Sequence, residues 1–281
     1  MERIVVFGAT GRIGRYVVRR IAGERSREVV AARRWDSSPE VLEGSGATDL
    51  VVDLDEREAV RHAVTGATGV VHCAAPDTGH DSEEYMARSV EYVRRIASIA
   101  REEGAERVVV TSTAATAAAA IDRGGRADES DVYLPGSSRD PFLEGAYAVE
   151  QECFRQAADG QQICTINPSL VVGPETELPP RSSFPEVADD DPVDWVSPGR
   201  VATAHAQALR RGNPGERYLI GGTAGTVGGL YRAVERAGGR TTREGGWFSG
   251  GREPFRDRAL IGEGRRLDCS KARSDLGLAS R

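Results

Sequence analysis

Apolar and polar positions follow two rhythms along the first two thirds of this chain. Short β-branched runs come at intervals: Ile4-Val5-Val6-Phe7, Glu28 to Ala32, Leu50-Val51-Val52, Val70-Val71-His72, Val108-Val109-Val110 and Ile163-Cys164-Thr165-Ile166. Between them lie segments whose apolar residues recur every three or four positions, the period of a helix with one buried face. The pattern predicts helices over 14–22 (stopped by Gly23), 58–64, about 82–103, about 147–158 and 200–211, with a further strand at Tyr218-Leu219-Ile220. The clearest is the third of these, where Tyr85, Met86, Val90, Val93, Ile96, Ala97 and Ala100 form a stripe opposite Arg94, Arg95, Arg101 and Glu102. Strands alternating with helices predict βαβ units and an α/β fold with a doubly wound parallel sheet.

Beyond Pro168 the rhythm breaks. Residues 173–199 carry prolines at 174, 179, 180, 185, 192 and 198 and the acidic run Asp189-Asp190-Asp191. Proline at that density excludes long helices and predicts an extended, loop-rich segment, expected to act as a substrate lid. The last sixty or so residues are rich in glycine and arginine, and no internal repeat is visible.

Composition narrows the picture. At 281 residues, 39% hydrophobic and 28% charged, the chain is an ordinary globular sequence, and a net charge of −6 gives no reason to expect nucleic acid or a membrane surface as partner. No run of about 18 apolar residues occurs, and the chain opens on a strand pattern, so a cytoplasmic location is expected. Lys271 is the one lysine among 37 basic residues, which leaves lysine chemistry to that residue or to none. The cysteines (73, 153, 164, 269) and histidines (62, 72, 80, 205) show no metal-ligand spacing, and no metal is expected.

The strongest local signal is Gly8-Ala9-Thr10-Gly11-Arg12-Ile13-Gly14, placed immediately after the first strand and opening the first helix. Backbone N–H groups at a helix N-terminus hold a pyrophosphate when no Cβ stands in the way, so this G-x-x-G-x-x-G turn predicts dinucleotide binding. An acid about 20 residues further on would hold a ribose 2′-hydroxyl. Here the second strand ends in Ala31-Ala32-Arg33-Arg34, two guanidinium groups where a 2′-phosphate needs charge-assisted bonds, and the expectation is NADP(H) rather than NAD(H).

These motifs, with Val52-Asp53-Leu54, Val70 to Ala75, Arg107 to Thr113, Asn167 to Pro174 and Ser270-Lys271-Ala272-Arg273 in order along the chain, resemble the extended short-chain dehydrogenase/reductases, near the dihydroflavonol reductase and nucleotide-sugar epimerase/dehydratase branch. The resemblance implies a Rossmann domain over 1–172, with 200–222 returning to it, and a small substrate-binding cap within 173–281, where Arg181, Phe184, Trp195 and Trp247 are candidates. It implies that Asp53 and Leu54 meet the adenine, that Cys73, Ala74 and Ala75 line the ribose, and that Pro168 and Ser169 flank the nicotinamide. The family's catalytic set is a Ser or Thr after the fifth strand and a Tyr followed four residues later by Lys. Thr113 and Tyr147 match it, with Gln151 in the lysine position, and Ser89 stands where the long helix of the family carries Asn. Without the ammonium, Tyr147 is expected to stay protonated, which favours donating a proton to a carbonyl over removing one from an alcohol. The implied function is NADPH-dependent reduction of a ketone or related carbonyl on a bulky small molecule. Alternatives are a sugar-nucleotide epimerase or dehydratase and a non-catalytic dinucleotide sensor; a homodimer through the long helix and the Tyr147 helix is also expected.

Overall fold

The computed structural model describes residues 1–76, 82–120, 125–137, 140–184, 186–241, 258–261 and 266–279. The chain begins with β1 (Glu2–Phe7), α1 (Gly14–Ala22), β2 (Arg27–Arg33), β3 (Thr48–Val51), α2 (Arg57–Val64), β4 (Gly69–His72), α3 (Ser82–Glu102) and β5 (Arg107–Thr111). It continues through α4 (Ala115–Ala118), β6 (Arg126–Ala127), α5 (Pro141–Ala158), β7 (Ile163–Pro168), β8 (Leu170–Val171), β9 (Glu177–Leu178), β10 (Pro192–Val196), α6 (Pro198–Arg211) and β11 (Arg217–Ile220). β12 (Thr223–Thr226), α7 (Val227–Arg236), β13 (Arg240–Thr241), α8 (Arg258–Ile261), β14 (Arg266–Leu267) and α9 (Ser270–Leu276) complete it.

Seven parallel strands form the central sheet in the order β11-β7-β5-β4-β1-β2-β3. This is the Rossmann-type doubly wound sheet that the alternation predicts. Side chains alternate across it: Ile4 and Val6 enter the layer under α1, α6 and α9, while Val5 and Phe7 enter the layer under α2, α3 and α5. Both faces are covered, which is why the strands read as continuous apolar runs. The order reverses beside β1, where the chain leaves for β2 on one side and later for β4 on the other, and such a switch point opens a crevice at the carboxyl ends of the strands.

A third cluster holds Leu178, Phe184, Val187, Val193 and the apolar face of α7 against Ala114 to Ala118. Part of the proline-rich segment packs on this cluster: β10 pairs with both β8 and β12, and Phe184 is buried in it. Arg181 lies over the ring of Tyr231 and pairs with Asp189, and the indole of Trp195 covers Gly225, so both candidates are held by the protein; Trp247 and His80 lie outside the described residues. Among the described residues no helix is long and apolar enough to cross a membrane.

Helix boundaries differ most at α5, which starts at Pro141, six residues before the expected position. Asp140 accepts a hydrogen bond from the Phe142 N–H, and proline takes the first helical position, where its missing N–H costs nothing.

Candidate functional site

The carboxyl ends of the central strands open onto one cleft of about 750 Å³. Its floor is the glycine turn. Gly8 has φ +75°, and a Cβ there would stand 2.5 Å from the Ala74 nitrogen; a Cβ on Gly14 would stand 2.0 Å from the Gly8 carbonyl oxygen. Only glycine lets the turn fold this tightly against β4. The first turn of α1 has no side-chain cap and no acid, whereas α5, α6 and α7 are capped by Asp140, Ser197 and Thr226. Open N–H groups at the positive end of the helix dipole, facing the cleft, suit a pyrophosphate.

Of the expected cofactor residues, Gly8, Thr10, Gly11, Arg12, Ile13, Arg33, Arg34, Asp53, Leu54, Cys73, Ala74, Ala75, Pro168 and Ser169 all line this cleft, and Gly14 packs beneath the turn. The two arginines are not equivalent. Arg33 is held bidentately by Asp49 of β3 (2.7 and 2.8 Å) and also donates to the carbonyls of Arg34 and Ser37. Arg34 is half exposed, 3.4 Å from a carboxylate oxygen of Asp36, and next to it the Trp35 indole is 81% exposed at the cleft edge.

On the floor, Thr111 bridges Cys73 (3.2 Å) and Nε2 of His205 (2.8 Å), whose Nδ1 lies 2.8 Å from the Val201 carbonyl oxygen. Burial pushes the His205 pKa down to about 4 and the Cys73 thiol up to about 12, so this chain of contacts is neutral and ties β4 and β5 to α6. His72 is likewise kept neutral by burial, with its pKa near 4.

Thr113 lines the cleft, and its hydroxyl oxygen accepts the Ala115 N–H, leaving the hydroxyl proton for a ligand. Tyr147 and Gln151 do not join it. The face of α5 turned to the cleft carries Phe142, Gly145, Ala146 and Val149, so the pair four residues apart that faces the cofactor side is Phe142 and Ala146. Tyr147 sits about 100° further around the helix, its ring centroid 5.5 Å from that of Tyr133. With Gln151 it lines a separate shallow depression beside Met86, Pro135 and Arg155. The expected apposition of Tyr147 and Thr113 is therefore not formed. The apolar stripe Phe142–Ala146–Val149–Cys153 carried the signal for this register. Ser89 does line the cleft, but its hydroxyl is spent on the Tyr85 carbonyl (2.8 Å).

A buried acid that motif reading passed over organises this wall. Glu150 is fully buried; one carboxylate oxygen receives Ser112 (2.5 Å), Thr116 (2.9 Å) and Asn167 (2.7 Å), and the other receives Arg217 (3.1 Å). Burial raises the Glu150 pKa, and Arg217 with these donors opposes the rise. The cluster fastens β5, β7, α5 and β11 together directly behind Ser112 and Thr113. Arg217 reaches further, donating to the carbonyls of Glu129 and Asp131.

A Rossmann sheet with a glycine turn and an open cleft at its switch point defines a dinucleotide-binding α/β protein. The chain belongs to the NAD dependent epimerase/dehydratase family, whose model matches residues 4–221. It is 29% identical over 232 residues to a Synechocystis sp. protein whose name places it among dihydroflavonol 4-reductases, covering 77% of this chain but slightly under two thirds (66%) of that protein. It is 30% identical over 247 residues to cinnamoyl-CoA reductase 1 of Arabidopsis thaliana, covering 79% of this chain and 71% of that one. The fold superimposes on UDP-glucose 4-epimerase from Thermotoga maritima with a TM-score of 0.75 at 17% identity, over 99% of this chain and 94% of the other.

Proposed function

We propose that the protein is an NADP(H)-dependent reductase of a ketone or related carbonyl on a bulky small molecule. The observation that carries this reading is the uncapped glycine-turn helix opening into a cleft that runs from Arg34 and Trp35 at one end to Thr113, Pro168 and Ser169 at the other. The relatives named as reductases support the direction of the chemistry.

The bound dinucleotide supplies or accepts a hydride. The chain's own residues do the rest. The N-terminus of α1 holds the pyrophosphate, while Val52 and Leu54 offer apolar contact to the adenine. Arg34 and Arg12 present charge to a 2′-phosphate; Arg33 supports this end indirectly by tying β2 to β3 through Asp49. Thr113 offers its hydroxyl proton to a carbonyl oxygen. The cleft face of α5 carries no ionisable side chain, which disfavours the epimerase or dehydratase reading, because those reactions begin by removing a proton from an alcohol. The same observation favours one second reading, dinucleotide binding without turnover.

The test is NADPH binding followed by NADPH consumption against a panel of ketones, aldehydes and thioesters. Tight NADPH binding with turnover of a bulky carbonyl supports the reductase. Binding with no turnover across the panel selects the sensor reading, and no binding of either dinucleotide overturns both.

A further inference from the structure

The glycine turn is gripped from behind by one side chain. Arg15, in the first turn of α1, donates from Nη2 to the Thr10 carbonyl oxygen (2.9 Å) and from Nε to the Gly11 carbonyl oxygen (3.2 Å). Thr10 and Gly11 are part of the cleft floor, whereas Arg15 stands outside the cleft lining. Its remaining nitrogen, Nη1, reaches across to the proline-rich segment and meets a carboxylate oxygen of Glu175 at 2.8 Å. A tight turn presents that carboxylate. The Thr176 N–H donates to the Gly173 carbonyl (3.0 Å), the Gly173 N–H to the Thr176 hydroxyl (2.8 Å), and that hydroxyl to the Val171 carbonyl (3.1 Å). The Thr176 carbonyl in turn accepts the Arg240 N–H (2.9 Å), where β13 pairs with β9.

We propose that Arg15 and Glu175 form a clasp by which the proline-rich segment holds the glycine turn in its pyrophosphate-binding shape. The proposal rests on dinucleotide binding, which the reductase and sensor readings share. A pyrophosphate site needs the N–H groups of its turn pointing inward and the carbonyl oxygens, which repel phosphate, held away. The planar guanidinium does this with donors in a fixed fork, taking two successive carbonyls while its third nitrogen is anchored by Glu175. Arg15 is thus a positioning residue, acting on the backbone that meets the phosphates. Coupling of this kind is reciprocal: a bound dinucleotide strengthens the tie to the proline-rich segment by the same factor that the tie strengthens binding.

Calorimetric titration with NADPH, NADH and 2′-AMP, which has no pyrophosphate, tests the clasp. Glu175→Gln is the deciding variant, because two accounts predict opposite signs. Removing a carboxylate near a phosphate site tightens binding if only through-space charge matters. The clasp predicts weaker binding of NADPH and NADH alike, by about two- to fivefold, the scale of a partly exposed ion pair. Arg15→Met should weaken both by about tenfold, the loss of a charge-assisted bond. Arg15→Lys, which keeps the charge without the fork, should lose most of that affinity as well. Binding of 2′-AMP should stay within about twofold of the parent in all three variants, and Glu175→Gln should have no further effect in the Arg15→Met background. Parent-like or tighter dinucleotide binding by Glu175→Gln, parent-like binding by Arg15→Lys, or additive losses in the double variant overturn the clasp while leaving the cofactor reading intact. A parent that binds neither dinucleotide removes that reading, and the clasp with it.

Discussion

Replacing Arg217 with methionine, which keeps the length of the stem but removes the guanidinium, uncovers the buried charge behind the active wall and also removes the donors to the Glu129 and Asp131 carbonyls. Glu150 would keep Ser112, Thr116 and Asn167 on one oxygen and lose Arg217 from the other, in a site with no exposed surface. Removing one member of a buried pair costs about 3–5 kcal/mol, because the remaining charge stays desolvated. For a chain of this size that corresponds to a fall in Tm of about 6–20 °C. The pH dependence adds a second signature. Without Arg217 the Glu150 pKa, already raised by burial, rises further above its unfolded value. At this one site the folded state then binds more protons than the unfolded state. The stability lost relative to the parent, in which His72 and His205 titrate alike, is therefore smallest in acid and grows as pH rises from the unfolded toward the folded pKa, with a limiting slope of about 1.4 kcal/mol per pH unit. Glu150→Gln in the Arg217→Met background removes the charge and should recover part of the loss. Urea unfolding of the two single variants and the double variant between pH 5 and 8 measures all of this. If Arg217→Met costs less than about 1 kcal/mol, or the two substitutions add without coupling, Glu150 is not held as a buried carboxylate and the account of this wall fails.

Arg34→Ala should weaken NADPH binding by about 10- to 150-fold, the worth of one charge-assisted bond of roughly 1.5–3 kcal/mol, while NADH affinity stays nearly unchanged. Arg33→Ala should instead reduce both affinities modestly by loosening the β2–β3 tie; equal losses for the two cofactors in Arg34→Ala would refute the assignment. His72 and His205 are neutral when folded, with pKa values near 4 against about 6.5 unfolded. The unfolded chain therefore takes up protons first as pH falls, and each histidine should cost about 2 kcal/mol of stability between pH 7 and pH 5. Denaturation midpoints that stay level across that window would contradict the burial of both rings.

The alternation of β-branched runs with helical stripes is a local property of consecutive residues, and it was enough for the α/β class, the parallel sheet and the long helix α3. The glycine turn was legible for the same reason: its strand, its three glycines and its helix are contiguous. What chain order could not supply was the rotation of α5 about its own axis. Two pairs four residues apart, Phe142 with Ala146 and Tyr147 with Gln151, both satisfy the motif's spacing, and a one-residue step turns a side chain through about 100°. Which pair meets the cleft depends on how Leu143, Val149 and Cys153 pack against the sheet and the cap. The start of that helix was readable in Asp140-Pro141, a cap followed by a first-turn proline, and would have fixed its length though not its rotation. The fates of Arg33 and Glu150 were also matters of assembly. Asp49 reaches Arg33 from the neighbouring strand, and the four partners of Glu150 come from positions 112, 116, 167 and 217. Residues that far apart in the chain become neighbours only once the strands have paired, because the energy of a buried charge is set by the groups around it and not by those beside it in sequence.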